Sequence, residues 1–312
     1  MNDAAPQKCN SGERSGRAVV YRAAGWVMPE KEKNDARGPS RREFMRKSLR
    51  GALAAGFVFS AADSQTLSIT RNTLPLKGLS PVLSGFKIAF ASDFHHGPLV
   101  PIEDIRNAVK MINGLFADVI LLGGDYISKD TSYYDAVFAQ LSRLSAPYGV
   151  YSVPGNHEYW TGVSTYTEKL ARTPIVDLTN TGFTVRGGLY IAGLDDEWTG
   201  APGADAAVSA APAGVPRIVF THNPCLADSL PPEYASLILA GHTHGWQVYV
   251  PMVTRWAMPI DTMRKYRAGY YRTPAGLMYV ARGVGLYYMP LRFCASPEIV
   301  LFTLVPSPLG EG

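Results

Sequence analysis

The sequence predicts an α/β sandwich, and three observations carry that prediction. From Lys87 onward apolar strands alternate with segments of helical spacing. Beyond about residue 172 the helical spacing gives way to shorter strands. Hydrophobic residues make up 46% of the 312, enough for a sizeable core, which excludes wholesale disorder.

The elements follow in order. Lys87–Ser92 is an apolar strand ending in Asp93. Pro101–Phe116 places Ile102, Ile105, Val109, Ile112 and Phe116 at helical spacing. Asp118–Leu122 is a buried strand running into Gly123-Gly124-Asp125. Ser132–Ser145 is a second helix, and Gly149–Val153 a third strand ending in Pro154-Gly155-Asn156-His157-Glu158. A helical stretch near Val163–Arg172 precedes short strands near Thr184–Arg186, Tyr190–Gly193, Arg217–Thr221, Leu237–Ala240, Met278–Ala281 and Ile299–Thr303. Thr199–Pro216, rich in Ala, Gly and Pro, reads as a surface loop. There is no internal repeat, and one domain is expected over residues 67–306.

Charge divides the chain. The net charge is +4 and the pI 8.8. Residues 1–62 hold 12 Lys+Arg against 6 Asp+Glu, and the other 250 hold 18 against 20. All the excess positive charge therefore lies at the N-terminus, and the slightly acidic remainder argues against nucleic acid as a stable partner. Residues 1–39 are polar, without periodicity, and are expected to be a disordered extension. Residues 40–62 run from Ser40-Arg41-Arg42-Glu43-Phe44 through Lys47 into an apolar stretch, Gly51–Ala62, that ends in small residues. This resembles a twin-arginine (Tat) export signal. It implies the Tat machinery as a partner and a periplasmic or membrane-associated location outside the cytoplasm. Twelve apolar residues span only about 18 Å as helix, too short for a stable membrane anchor. No apolar run reaches the roughly 18 residues of an ordinary membrane span. Cys9 lies in the N-terminal segment, which leaves Cys225 and Cys294 either bridged or as separate thiols.

Six histidines, His95, His96, His157, His222, His242 and His244, lie at or just beyond expected strand ends, mixed with Asp and Asn and flanked by glycines. In open α/β sheets such ends face the ligand crevice. If Asp93-x-His95 and His242-x-His244 are extended, each pair reaches a common centre. Imidazole with carboxylate suits Mn, Fe or Zn. At least seven candidate ligands fit two metals, and an aspartate is able to bridge them.

The ordered set DxH, GD, GNHE, H and GHTH, at Asp93–His95, Gly124–Asp125, Gly155–Glu158, His222 and Gly241–His244, resembles the calcineurin-like metallophosphoesterase family over roughly residues 86–304. The continuation Gln247-Val248 with Pro251, and the tail Gly283-Val-Gly285, Pro290-Leu-Arg292 and Pro297-Glu298-Ile299, resemble its YaeI/YkuE-type bacterial branch, in which Tat leaders also occur. The resemblance implies a four-layer αββα sandwich. It implies that Asp93, His95 and His244 hold one divalent metal, that Asn156, His222 and His242 hold a second, and that Asp125 bridges them. His157 is then the general acid, and a metal-bridging hydroxide attacks a phosphate ester. Two features depart from the pattern. His96 stands where an apolar residue is common, and Trp246 replaces a glycine and narrows the pocket.

The expected substrate is a phosphodiester or pyrophosphate, with an envelope lipid as one form of it and peripheral membrane contact as a corollary. The alternatives are a phosphomonoesterase and a non-catalytic metal-binding scaffold. The lipid reading rests on Trp246–Cys294, where ten of 49 residues are aromatic and five of the nine methionines lie. That segment reads either as core and strand-edge packing or as an apolar rim beside the site. Glu158 is placed either to orient His157 or on the surface. His96 either lines the pocket or makes a structural hydrogen bond. Arg282 and Arg292 either reach phosphate or form salt bridges.

Overall fold

The computed structural model describes residues 40–51 other than 44 and 49, residues 66–250, residue 254 and residues 264–307. The extension 1–39, Cys9, the apolar stretch from residue 52 and Trp256 lie outside the described residues. The chain divides into two compact units, residues 1–49 and 50–312. In the first, residues 41–43 and 45–48 are helical and exposed, and Glu43 pairs with Lys47 at 3.1 Å. No helix among the described residues is long and apolar enough to cross a membrane.

Among the described residues, the second unit contains two six-stranded sheets. Its strands are β1 (Ser68–Leu76), β2 (Lys87–Ala91), β3 (Val119–Leu122), β4 (Val150–Ser152), β5 (Val176–Asp177), β6 (Thr181–Val185), β7 (Leu189–Gly193), β8 (Arg217–Phe220), β9 (Leu237–Ala240), β10 (Gly269–Thr273), β11 (Gly276–Val280) and β12 (Glu298–Pro306). One sheet has the order β1-β12-β2-β3-β4-β5 and the other β10-β11-β9-β8-β7-β6. Strands β2 to β5 are mutually parallel, as are β7, β8, β9 and β11.

Side-chain alternation along each strand builds the layers. In the first sheet Ile88, Phe90, Val119, Leu121, Val300 and Phe302 point to the interior. There they meet Ile191, Ile218, Phe220, Leu237 and Leu239 of the second sheet. The alternate residues Ala89, Ala91, Ile120, Leu122 and Ile299 pack under helices α1 (Ile102–Asn113), α2 (Tyr134–Leu141) and, after the short α3 (Asn156–Thr161), α4 (Val163–Leu170). On the far side Tyr190, Ala192, Val219 and Ile238 are covered by α5 (Ala204–Val208) and a 3-10 helix at Pro224–Asp228. The architecture is thus the expected four-layer αββα sandwich. The central strands are buried on both faces, which is why their sequences read as unbroken apolar runs.

Two expectations need correction. Thr199–Pro216 is not wholly surface loop, because α5 inserts Ala207 beneath Tyr190, whose hydroxyl donates to the Ala207 carbonyl at 2.9 Å. Strands β1 and β10 are additional sheet edges. Both are half-exposed, so neither carries the apolar pattern that marked the central strands, and tertiary pairing to β12 and β11 makes them strands.

Phe220 is fully buried between the sheets two residues before His222. Phe220→Ala should cost about 3–5 kcal/mol by the transfer and cavity terms for a buried aromatic. Urea unfolding checks this, and a loss below about 1 kcal/mol would show that the inter-sheet core tolerates the void.

Candidate metal centre

Every sequence-predicted site residue follows the C-terminal end of a parallel strand. Asp93 and His95 follow β2, Asp125 follows β3, and Asn156 and His157 open α3 after β4. His222 follows β8, and His242 and His244 follow β9. Face-to-face packing of the sheets brings the two sets of ends together, and all eight side chains are buried.

They meet in three overlapping groups: Asp93, His95 and His244; His95, Asp125 and His157; and Asp125, His222 and His242. His95 Nε2 lies 2.9 Å from His244 Nε2 and 3.4 Å from Asp125 Oδ2. His244 Nε2 is 3.4 Å from Asp93 Oδ1. His222 Nε2 lies 3.2 Å from Asp125 Oδ2, 3.1 Å from Asn156 Oδ1 and 3.1 Å from His242 Nδ1. Asp125 belongs to two groups, and Asn156 joins the third through His222.

The local geometry differs from the extended pairs expected. Asp93, His95, Asp125, His242 and His244 all have positive φ, between 47° and 70°. This left-handed region is costly for non-glycine residues and clusters at functional sites. His242 and His244 therefore diverge, His242 toward His222 and His244 toward His95 and Asp93. The flanking glycines serve chiefly for close approach. A Cβ on Gly241 would collide with Asp93, and one on Gly155 with Asp125.

Electrostatics separates the rings. Burial dominates His95 and His242, lowering both to about 3, and holds His244 well below the usual imidazole range. These rings are neutral, the form in which imidazole binds a metal. Burial also opposes the charge on Asp125, but His222, His157 and His95 outweigh it and hold the carboxyl well below its usual value. His222 is the reciprocal case. Burial pushes it down, and the Asp125 charge and hydrogen bond overcome this and hold it well above the normal range. Burial raises Asp93 to about 6, with His222 opposing and Asp125 reinforcing.

This donor set fits a divalent cation. Imidazole nitrogens and carboxylate oxygens converge on one another at 2.9–3.4 Å. Mixed N and O donors brought this close suit Mn, Fe or Zn.

The surrounding residues explain how the donors are held. Asp93 accepts the His242 N–H at 3.0 Å and the Ser92 hydroxyl at 2.5 Å. Asp125 Oδ1 accepts the His157 N–H at 3.0 Å. His222 Nδ1 bonds the Gly123 carbonyl at 2.7 Å, and His157 Nδ1 bonds the Ser128 carbonyl. Glu158 neither orients the His157 ring nor lies on the surface. It is fully buried and accepts N–H bonds from Gly155 at 2.7 Å, Asp125 at 2.8 Å and Tyr126 at 3.0 Å. Burial, with the Asp125 charge adding, raises it to about 8 against those three donors. Its spacing of three after Gly155 is that of a capping-box glutamate, the one sequence signal for this role.

Arg292 does not reach the cavity. It is fully buried and donates to the carbonyls of Arg282 and Ala295 at 2.8 Å and of Gly285 at 2.5 Å, and its Nη2 lies 3.1 Å from His244 Nδ1. Arg282 pairs with Glu298 at 2.7 Å. His96 bonds the Val100 carbonyl at 2.9 Å, a structural role. Cys225 is half-buried and Cys294 exposed, and they are not bonded to each other.

A cavity of about 410 Å³ opens over the centre. His95, Asp125, Asn156, His157, His242 and His244 form its floor. Trp160, Trp198, Trp246, Tyr287 and Tyr288 wall it. The aromatic segment thus serves both readings, since Tyr266 and Tyr279 pack in the core while Trp246, Tyr287 and Tyr288 face the site. The sequence reading missed Trp160 and Trp198. Trp160 stands three residues after His157, one helical turn on. Trp198 is set by Asp196, which accepts the N–H groups of Trp198 and Thr199 at 3.1 and 2.9 Å.

Glu158→Ala leaves three buried N–H groups without their acceptor, at about 1–3 kcal/mol each. The expected loss of stability is on the order of 3 kcal/mol, with weaker metal retention because Asp125 is one of the three. Denaturant unfolding and elemental analysis of the purified variant check both, and an unchanged midpoint would refute the anchoring role.

Residues 86–246 match the calcineurin-like phosphoesterase family. The chain is 32% identical over 290 residues to the uncharacterized metallophosphoesterase YkuE of Bacillus subtilis, covering 85% of this chain and 97% of YkuE. It is 33% identical over 227 residues to the phosphodiesterase YaeI of Escherichia coli, covering 70% and 82%. A dimetal phosphatase structure from Danio rerio aligns with a TM-score of 0.43 at 14% identity, over 70% of this chain and 99% of that one. With the family match spanning the cavity floor, the chain belongs to the calcineurin-like phosphoesterase family and is, as such, a metal-dependent phosphoester hydrolase.

Proposed function

We propose that the protein hydrolyses a phosphodiester or pyrophosphate with two divalent metal ions, acts outside the cytoplasm, and takes an ester of an envelope lipid. The observation that carries the reaction is the sharing of Asp125 between a donor group containing His95 and one containing His222 and His242. On this reading Asp93, His95 and His244 would hold one ion, Asn156, His222 and His242 the other, and Asp125 would contribute to both. When bound, the ions supply positive charge to the phosphoryl oxygens and a nucleophile at neutral pH.

The chain's own residues do the rest. As a ligand His222 would be neutral, so metal binding there would compete with a proton. The Ser128 carbonyl fixes His157 through Nδ1, which leaves Nε2, 4.0 Å from Asp125 Oδ2, as the atom that protonates the leaving oxygen. The aromatic walls supply apolar surface beside the reacting phosphate, which supports the lipid ester. The name of the relative YaeI supports the diester over the monoester.

Metal-loaded protein should hydrolyse bis-p-nitrophenyl phosphate faster than p-nitrophenyl phosphate, and the reverse ranking would favour a phosphomonoesterase. Asp125→Asn should abolish turnover, whereas full activity would leave a different centre to be found. His157→Ala should retain metal and lose about 10²–10⁴-fold in kcat, the usual worth of a general acid. Equal metal content with equal kcat would remove His157 from the mechanism.

Export rests on the Arg41-Arg42 pair and the apolar stretch after it. Cell fractionation of a variant with both arginines changed to lysine should find the protein retained in the cytoplasm. Normal export of that variant would refute the Tat route.

A further inference from the structure

The two sides of the cavity are built differently. The His157 ring is flanked by two aromatic rings, Trp160 at 4.8 Å with a 48° tilt and Tyr287 at 4.8 Å and nearly perpendicular at 83°. Tyr287 also stacks on His95 at 5.1 Å and 19°, and meets Tyr288 at 3.8 Å. On the His242 side Trp198 packs on His242, edge-on at 4.5 Å. Helix α3 carries both His157 and Trp160, so one rigid turn fixes the indole relative to the imidazole. Trp160 is 58% exposed and Tyr288 80% exposed, while Tyr287 is half-buried beneath them. Large aromatic faces left in water at the mouth of a reaction cavity are the kind of surface that an apolar ligand group covers.

We propose that Trp160, Tyr287 and Tyr288 form a subsite for an apolar or aromatic leaving group. Substrate selection then falls on the alcohol that departs and not on the phosphoryl half that stays. The inference rests on His157 being the proton donor to the leaving oxygen, because a substituent on an oxygen within its reach lies against these rings. In the hydrolysis the P–O bond to that alcohol breaks and its electron pair stays on the departing oxygen. That oxygen takes the His157 proton, and a new P–O bond forms to the oxygen of water, whose released proton replaces the one His157 gave. The leaving alcohol is one that carries a ring or hydrocarbon within a few bonds of its oxygen. Trp160 is a specificity-determining residue on this account, not a catalytic one.

Three diesters separate the two halves: methyl 4-nitrophenyl phosphate, methyl trifluoroethyl phosphate, and hexyl 4-nitrophenyl phosphate. Trp160→Ala should raise KM about tenfold for both 4-nitrophenyl esters, with kcat little changed, and should shift the trifluoroethyl ester less than twofold. A tenfold change corresponds to one modest aromatic contact. Trp160→Phe should recover most of the loss. An equal effect on all three esters, or one that grows from methyl to hexyl, overturns the assignment. A readout free of turnover is saturation-transfer NMR with 4-nitrophenol alone. Contact seen in the wild type and lost in Trp160→Ala supports the subsite, and contact that persists in the variant refutes it. If the wild type hydrolyses none of the esters, the phosphodiester reading fails, and the NMR measurement still decides the subsite.

Discussion

Asp93 and Asp125 lie fully inside the protein, and the architecture depends on how their charge is met. A buried carboxylate is costly unless it is paired and hydrogen-bonded. Asp93 and Asp125 follow neighbouring parallel strands of the first sheet, and their main partners come from the second. His242 donates its backbone N–H to Asp93, and His222 pairs with Asp125 at 3.2 Å. The charge balance of the site is therefore an inter-sheet contact. It requires that the ends of β2 and β3 meet the ends of β8 and β9 in one register.

That register is set by the apolar layer behind it. Phe90, Leu121, Phe220 and Leu239 sit fully buried between the sheets a few residues before the ligand loops. The loops themselves are strained, with five candidate ligands in the left-handed region. Such conformations persist only where the surroundings over-determine them. Here the surroundings are explicit. Glu158 gathers three N–H groups, Arg292 gathers the carbonyls of the loops beside His244, and Gly155 and Gly241 leave no room between loop and carboxylate. The core stabilises the loops, and the loops hold side chains in groups that could bind a metal ion.

The cavity walls come from separate parts of the chain. Trp160 rides on α3, Trp198 on the turn made by Asp196, and Trp246, Tyr287 and Tyr288 on the late aromatic segment. The floor is polar and charged and the walls are apolar. Both the proposed lipid ester and the proposed leaving-group subsite rest on that division.

The sequence by itself determined the fold class and the order of the central elements. Strand ends carrying Asp, His and Asn between glycines are legible from residue type and chain order, and the resemblance of those motifs to the calcineurin-like family singled out the eight residues among them. Tertiary structure decided the rest. Periodicity could not mark β1, whose strand state depends on the distant β12, nor the half-exposed β10 and the short α5, which carry no apolar pattern of their own. It could not show that His242 and His244 diverge, because positive φ at both is imposed by packing and not by propensity. Nor could it tell that Glu158 and Arg292 are buried anchors, since a charged residue reads as surface until the backbone groups that satisfy it are brought around it.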